Sequence, residues 1–162
     1  MAARPKNSPR APHRPACIVS ACLAGIDCTY RGGNKRDPAV ARLVKTGRAI
    51  PVCPEVMGGL TTPRENAEIV GGGGEEVLAG AARVISKSGR DLTQNYMRGA
   101  AMILAIAQRS GARRAILKSK SPACGRGRIY DGTFRKTLTK GNGVLAALLL
   151  THGFTVLTER DV

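Results

Sequence analysis

The sequence predicts a single-domain α/β protein with a largely parallel sheet, and three observations support this. The chain has 162 residues, the length of one compact domain that buries about 70% of its unfolded surface. Short β-branched apolar runs alternate with segments of helical length, which is the pattern of βαβ units. Aromatic residues make up only 3% of the chain, so the core is expected to be aliphatic. The expected arrangement over residues 16–162 is three-layered and Rossmann-like.

The strands are predicted from short apolar runs that end in Gly, Pro or charged residues. The predicted strands are Ala16–Ala21, Ala49–Val52, Ala82–Lys87 (an edge strand), Arg114–Lys120 and Phe154–Leu157. The run Gly71–Gly74 is interpreted as a flexible turn. A phosphate-binding loop would need a following Lys-Ser/Thr pair or a GxGxxG pattern after a strand, and neither is present.

The helices are predicted from their end signals. Asp37 before a proline is a typical N-cap and opens a short helix over about 38–45. Asp91 is predicted to be the N-cap of the longest helix, about Leu92–Ser110, with Gly111 at its C′ position. A third, apolar helix is predicted over Val144–His152.

The chain is strongly basic, with a formal net charge of +15. Residues 1–15 contain prolines and cations without hydrophobic periodicity, which predicts a disordered basic tail. Most of the excess charge lies on the body, which favours anionic partners such as phosphates, nucleotides or RNA; solubility alone is the other explanation. No apolar stretch reaches a membrane span and no signal peptide is recognisable, so a cytoplasmic protein is expected.

The cysteines carry the clearest functional signal. Cys22, Cys53 and Cys124 each follow a predicted core strand in a Gly/Pro-rich loop. Because ligands bind beyond the carboxyl ends of parallel strands, the three thiols are expected to converge there. Cys17 lies within a strand and is expected to be a small core residue. Cys28 is open between a fourth ligand, a spectator near the site and a packing residue.

Converging thiolates in a protein with only two histidines suggest two kinds of metal site. A [4Fe–4S] cluster normally takes four cysteines, so three would leave one iron open, a Lewis acid with affinity for soft sulfur. A zinc site would need four ligands, which makes Cys28 the deciding residue. The spacing alone does not distinguish between a [4Fe–4S] cluster, a zinc site and buried structural cysteines.

Five segments resemble, in order, a bacterial family of 2-thiouracil and thiouridine desulfidases. They are SACLAGIDCTYRGG, VCPEVMGGLTTPRENAEI, GRDLTQNYMRGA, AILKSKSPACGRGRIYDGTF and GNGVLAALLLTHGFTV. The resemblance covers about Ile18 to Glu159. It implies a [4Fe–4S] cluster bound by Cys22, Cys53 and Cys124, with the open iron taking the sulfur of a thiolated pyrimidine. It further implies a non-redox reaction that replaces C=S by C=O and releases sulfide.

The same resemblance implies two catalytic residues, Glu55 and Ser121. In a site without histidine, a carboxylate is the natural general base for water, and a serine hydroxyl can hydrogen-bond water or substrate. Spacing alone would favour other roles. These are a helix-N-terminal or salt-bridged carboxylate for Glu55 and a turn residue before Pro122 for Ser121.

Four residues near the cysteine loops are candidates for substrate binding: Ser20, Tyr30, Arg64 and Tyr130. A tyrosine ring can stack on a pyrimidine, and a guanidinium can bind a 5′-phosphate. The alternative for Arg64 is an ordinary surface pair with Glu65 or Glu68.

The expected substrate is a small thiolated pyrimidine or its nucleotide, and three other functions remain as alternatives. The basic surface suggests an RNA-binding protein, or a thiouridine desulfidase acting on tRNA. Few aromatic residues are available for base stacking, which counts against a single-strand RNA binder. The cysteines alone would also suit a zinc-binding or redox-sensing protein.

Overall fold

The computed structural model describes residues 14–162, so all but Arg14 and Pro15 of the predicted tail lie outside it. The strands are β1 (Cys17–Ser20), β2 (Ala49–Val52), β3 (Ala67–Val70), β4 (Arg83–Ser86), β5 (Arg114–Leu117), β6 (Arg128–Tyr130), β7 (Leu138–Lys140) and β8 (Thr155–Thr158). The α-helices are α1 (Pro38–Lys45), α2 (Pro54–Met57), α3 (Gly74–Leu78), α4 (Thr93–Ser110) and α5 (Val144–Thr151). Two 3₁₀ turns cover Ala21–Ala24 and Glu159–Asp161.

The main sheet confirms the predicted α/β class. Its four strands are all parallel, in the order β2-β1-β5-β8. The central strand β1 pairs on both sides, with Ile18 opposite Ile50 of β2 and Ala115 of β5. The strands β3–β4 and β6–β7 form two separate antiparallel hairpins.

The sheet is the middle of three layers, because side chains on its two faces pack against different helices. Ile18, Leu117 and Val156 belong to the larger core cluster, which also contains the buried faces of α4 and α5. Val19 and Ile116 belong to the smaller cluster on α1. Burying both faces explains why the strands are continuous apolar runs rather than alternating ones.

The helix predictions are confirmed with small changes at the ends, but the predicted Asp91 N-cap of α4 is wrong. Leu92 is the N-cap residue, and the Asp91 carboxylate instead accepts a hydrogen bond from the Thr93 amide at 2.9 Å, one residue too early to cap the helix. The Asp37 carboxylate accepts hydrogen bonds from the Ala39 and Val40 amides at 2.9 and 3.1 Å, which caps α1. Helix α4 ends at Gly111, which adopts a left-handed conformation that favours glycine. No helix within residues 14–162 combines the length and the apolarity required to cross a bilayer.

The glycine run was wrongly interpreted as a simple flexible turn. Gly74 is buried and begins α3, and a Cβ at this position would lie 2.6 Å from the carbonyl carbon of Gly143. The absence of a side chain therefore lets α3 pack directly against the start of α5. The two hairpins were also not predicted, because β3, β6 and β7 lie in segments that read as loops.

Candidate functional site

The three predicted cysteines lie beyond the carboxyl ends of adjacent strands. Cys22 is in the 3₁₀ turn after β1, and Cys53 is the N-cap residue of α2, directly after β2. Cys124 is in the turn that follows β5. Since β2, β1 and β5 are neighbours and parallel, all three loops leave the same edge of the sheet.

Cys28 links these cysteines. The thiols of Cys22 and Cys53 both influence the pKa of its own thiol, and its carbonyl accepts a hydrogen bond from Cys53 Sγ at 3.9 Å. Ionisation of Cys53 or Cys28 would raise the pKa of Cys124. All five cysteines of the chain are free thiols. The structure therefore brings four thiols into one neighbourhood, including the one whose role the sequence left open.

The thiols of Cys28, Cys53 and Cys124 hold their protons tightly. Hydrogen bonding to Cys22 raises the pKa of Cys28 to about 11, although Cys53 opposes the shift. Hydrogen bonding to Cys28, together with burial, raises the pKa of Cys53. Burial raises the pKa of Cys124, and a hydrogen bond from Ser20 partly counters it. A metal group must therefore displace protons when it binds here.

The spacing of these groups does not match a single-ion site. Across residues 14–162, no three His, Cys, Asp or Glu side chains approach closely enough to hold one metal ion.

Glu55 is held by a short ion pair two residues after Cys53. The Arg64 Nε donates to Glu55 Oε2 at 2.6 Å, and the side chains are only 7% and 17% exposed for Arg64 and Glu55. Burial alone would lower the pKa of Arg64, but the Glu55 carboxylate more than compensates and raises it. The carboxylate and the guanidinium therefore face each other beside the cysteines.

The surface pairing considered for Arg64 is wrong. Glu65 instead accepts hydrogen bonds from the amide and hydroxyl of Ser88. Glu68 is 3% exposed and accepts hydrogen bonds from the amides of Gly132 and Phe134 at 3.0 and 3.2 Å. Glu65 and Glu68 therefore both have other hydrogen-bond partners, and Arg64 pairs with Glu55 instead.

The two predicted serines differ in burial, since Ser121 is half-buried and Ser20 is almost completely buried. Ser121 Oγ accepts hydrogen bonds from the amides of Ala123 and Cys124, both at 3.1 Å. These bonds fix the turn and leave the hydroxyl proton free to be donated. Ser20 is 2% exposed, and its Oγ accepts from the Lys118 amide at 2.9 Å. Ser20 therefore lies beneath the cysteines, against Cys124.

The predicted tyrosines lie in two different elements. Tyr30 is exposed in the loop after Cys28, and its hydroxyl accepts from Arg31 Nε at 3.1 Å. The same guanidinium lies 5.5 Å from the centroid of the Tyr30 ring. Tyr130 is half-buried in β6, where it pairs with Leu138. Tyr30 thus has a cationic neighbour at the rim of the site.

Tyr96 is a site residue that the sequence analysis missed. It is 2% exposed in α4. Burial raises its pKa, and the charge of the Glu55 carboxylate raises it further. The sequence does contain one indication that Tyr96 is buried, because it lies three residues before Gly99 and seven before Ile103, on the same face of α4.

Helix α2, which carries Glu55, packs backbone to backbone on α4. A Cβ at Gly99 would clash with the Pro54 carbonyl, its carbon atom being only 2.8 Å away. A Cβ at Gly58 would clash in the same way with the Asn95 carbonyl. The Asn95 Nδ2 also donates to the Gly58 carbonyl at 2.9 Å. Two glycines therefore set the distance between the glutamate helix and the main core.

The structure is a parallel α/β domain with free thiols at adjacent strand ends, beside an ion-paired carboxylate, and thiolates at such a sheet edge are suitable ligands for a soft metal cofactor. The 2-thiouracil desulfurase family model matches residues 17–161, and the chain belongs to that family.

Two known proteins are similar over most of the chain. The uncharacterized protein YbbK of Bacillus subtilis (strain 168) is 47% identical over 145 residues, which cover 90% of this chain and 96% of that protein. The solved structure of the [4Fe-4S]-dependent thiouracil desulfidase TudS has a TM-score of 0.80 and 41% identity. The match covers 91% of this chain and 93% of the TudS chain. The predicted fold class and family are thereby confirmed.

Proposed function

We propose that this protein is a [4Fe–4S]-dependent desulfidase that converts a thiolated pyrimidine to its oxo form. The observation that carries the proposal is that three thiols follow the ends of adjacent parallel strands, beside the Glu55–Arg64 pair. The likeness to TudS supports the same cofactor and substrate class. The free thiols also fit a reducing compartment such as the cytosol.

The donor set suits an iron–sulfur cluster, because it consists of thiols alone and contains no histidine. Cys22, Cys53 and Cys124 would be the ligands, one from each strand end. When bound through three cysteines, the cluster supplies an open iron that binds and polarises a thiocarbonyl sulfur. Cys28 then remains as a fourth, unligated thiol against Cys22 and Cys53.

Glu55 is the proposed general base. Arg64 engages only Oε2 of its carboxylate, so Oε1 stays available to accept a proton from water. The activated water attacks the ring carbon, and the C–S bond breaks as the sulfur leaves. The overall reaction consumes one water, releases one hydrogen sulfide and transfers no electrons.

Ser121 is the proposed hydrogen-bond donor to the water or to a ring heteroatom. Its oxygen is fixed by two backbone amides, so the hydroxyl can place its proton without a further change of the turn. Tyr30 and Tyr130 are proposed to contact the pyrimidine. Arg31 at the rim would favour a substrate that carries a phosphate, so a 2- or 4-thiouridine nucleotide is the alternative to free 2-thiouracil.

The test is turnover by the anaerobically reconstituted protein, measured as uracil and sulfide formed from 2-thiouracil. The Glu55→Gln variant is expected to retain its iron and lose turnover, whereas Glu75→Gln, on the exposed start of α3, retains both. Parallel assays with thiouridine monophosphates and thiolated tRNA identify the preferred substrate. Absence of sulfide from every substrate would refute the proposed function.

A further inference from the structure

We propose that Arg64 is a positioning residue that locks Glu55 and the loop around Cys28 into one arrangement, instead of binding the substrate. The role rests on the proposed function, since Glu55 is the base of that reaction. The loop in question, residues 26–33, is called the Cys28 loop below.

The hydrogen bonds of Arg64 reach three separate segments. Its Nε donates to Glu55 Oε2 at 2.6 Å, on α2. Its Nη2 donates to the Cys28 carbonyl at 2.8 Å, and Nη1 donates to the Thr61 carbonyl and Thr62 Oγ1, both at 3.1 Å. These four bonds use four of the five N–H donors of a guanidinium. Almost no donor capacity remains for a phosphate.

The backbone of residue 64 is attached to the same loop. The Arg64 amide donates to the Tyr30 carbonyl at 2.8 Å, so main chain and side chain both hold the Cys28 loop. The side chain is 7% exposed, which leaves little surface for a ligand. Arg64 therefore sits behind Glu55 as a buried bridge and not at the mouth of the site.

Removing the guanidinium has a predictable effect on the base. Glu55 would lose its only ion-pair partner in the described residues, and a carboxylate that is 17% exposed would have to reorient toward water or Tyr96. At the same time the Cys28 carbonyl would lose its guanidinium donor and keep only the long contact with the Cys53 thiol, so the loop would loosen. Both changes displace groups without removing any contact to the substrate.

The kinetic test compares Arg64→Ala, Arg64→Lys and the control Arg113→Ala, an exposed arginine beside β5. Positioning predicts that Arg64→Ala lowers kcat by about 100-fold, the scale of a 1 Å misplacement, with iron content and KM for 2-thiouracil close to wild type. Added guanidinium should restore part of the lost kcat. A raised KM with unchanged kcat would assign Arg64 to substrate binding and overturn the proposal.

A second measurement does not depend on turnover. Hydrogen–deuterium exchange of the cluster-free protein should be faster in both the Cys28 loop and residues 54–62 in Arg64→Ala than in wild type and Arg113→Ala. Arg64→Lys, which keeps the charge but cannot bridge three segments, should give intermediate exchange. Unchanged exchange in both segments would overturn the bridging role. If wild-type protein fails to release sulfide while exchange responds as expected, the proposed reaction fails and the bridge stands.

Discussion

The packing of α2 on α4 gives a prediction whose size can be worked out from the structure. In Gly99→Ala the new Cβ would fall against the Pro54 carbonyl, whose carbon is 2.8 Å away. Overpacking costs about 1–3 kcal/mol, and a clash with main-chain atoms belongs at the upper end, about 3 kcal/mol. Alanine regains about 1 kcal/mol of helix propensity. The expected net loss is about 2 kcal/mol.

For a chain of 162 residues this loss corresponds to a fall in Tm of about 4–8 °C. Far-UV circular dichroism is the suitable probe, because the chain contains no tryptophan. The control is Ala101→Gly, an exposed position two residues along the same helix, which isolates the propensity difference of about 1 kcal/mol.

Activity should fall together with stability in Gly99→Ala, because a displaced Pro54 carries Glu55 away from the cysteines. The control Ala101→Gly should lose stability and keep its kcat. A Gly99→Ala protein as stable as wild type, or more so, would refute the view that α4 holds α2 by direct backbone contact.

Two further predictions concern other parts of the domain. Burial raises the pKa of Glu159, but hydrogen bonds from Ser119 outweigh this effect, so the pKa is lowered in the folded protein. The ionised Glu159 therefore stabilises the fold fully at pH values above its pKa in the unfolded chain. This stabilisation is lost as the pH falls through its pKa in the folded protein. Glu159→Gln should lower the free energy of unfolding by about 1–2 kcal/mol at pH 7, and urea titrations should show the difference vanishing in acid. Cys28→Ser should keep its iron if three cysteines hold the cofactor, and loss of iron would make Cys28 a ligand.

The parallel sheet could be predicted because its strands are buried on both faces. Such strands read as short apolar runs, and β1, β2, β5 and β8 were all found in this way. Strand β3 was missed because it contains Glu68, a carboxylate that is 3% exposed. Its burial depends on amides of the distant Gly132 turn, which no local pattern reveals.

The candidate site likewise contains features that follow from local sequence patterns and features that depend on distant contacts. The position of each cysteine after a strand is a local property, so their placement at one sheet edge could be predicted. The partner of Arg64 could not, because local reasoning offered Glu65 and Glu68, whereas the fold brings Glu55 from nine residues away. Tyr96 was missed for a similar reason, since a buried tyrosine on a helix reads as core until its neighbours are known.

The most direct test of the central claim is the content of iron and acid-labile sulfide per chain after anaerobic reconstitution. We expect about four of each in the wild-type protein, the same in the control Cys17→Ser, and little or none in Cys124→Ser. Zinc in place of iron, no metal at all, or a full cluster in Cys124→Ser would contradict a [4Fe–4S] cofactor held at the three strand ends.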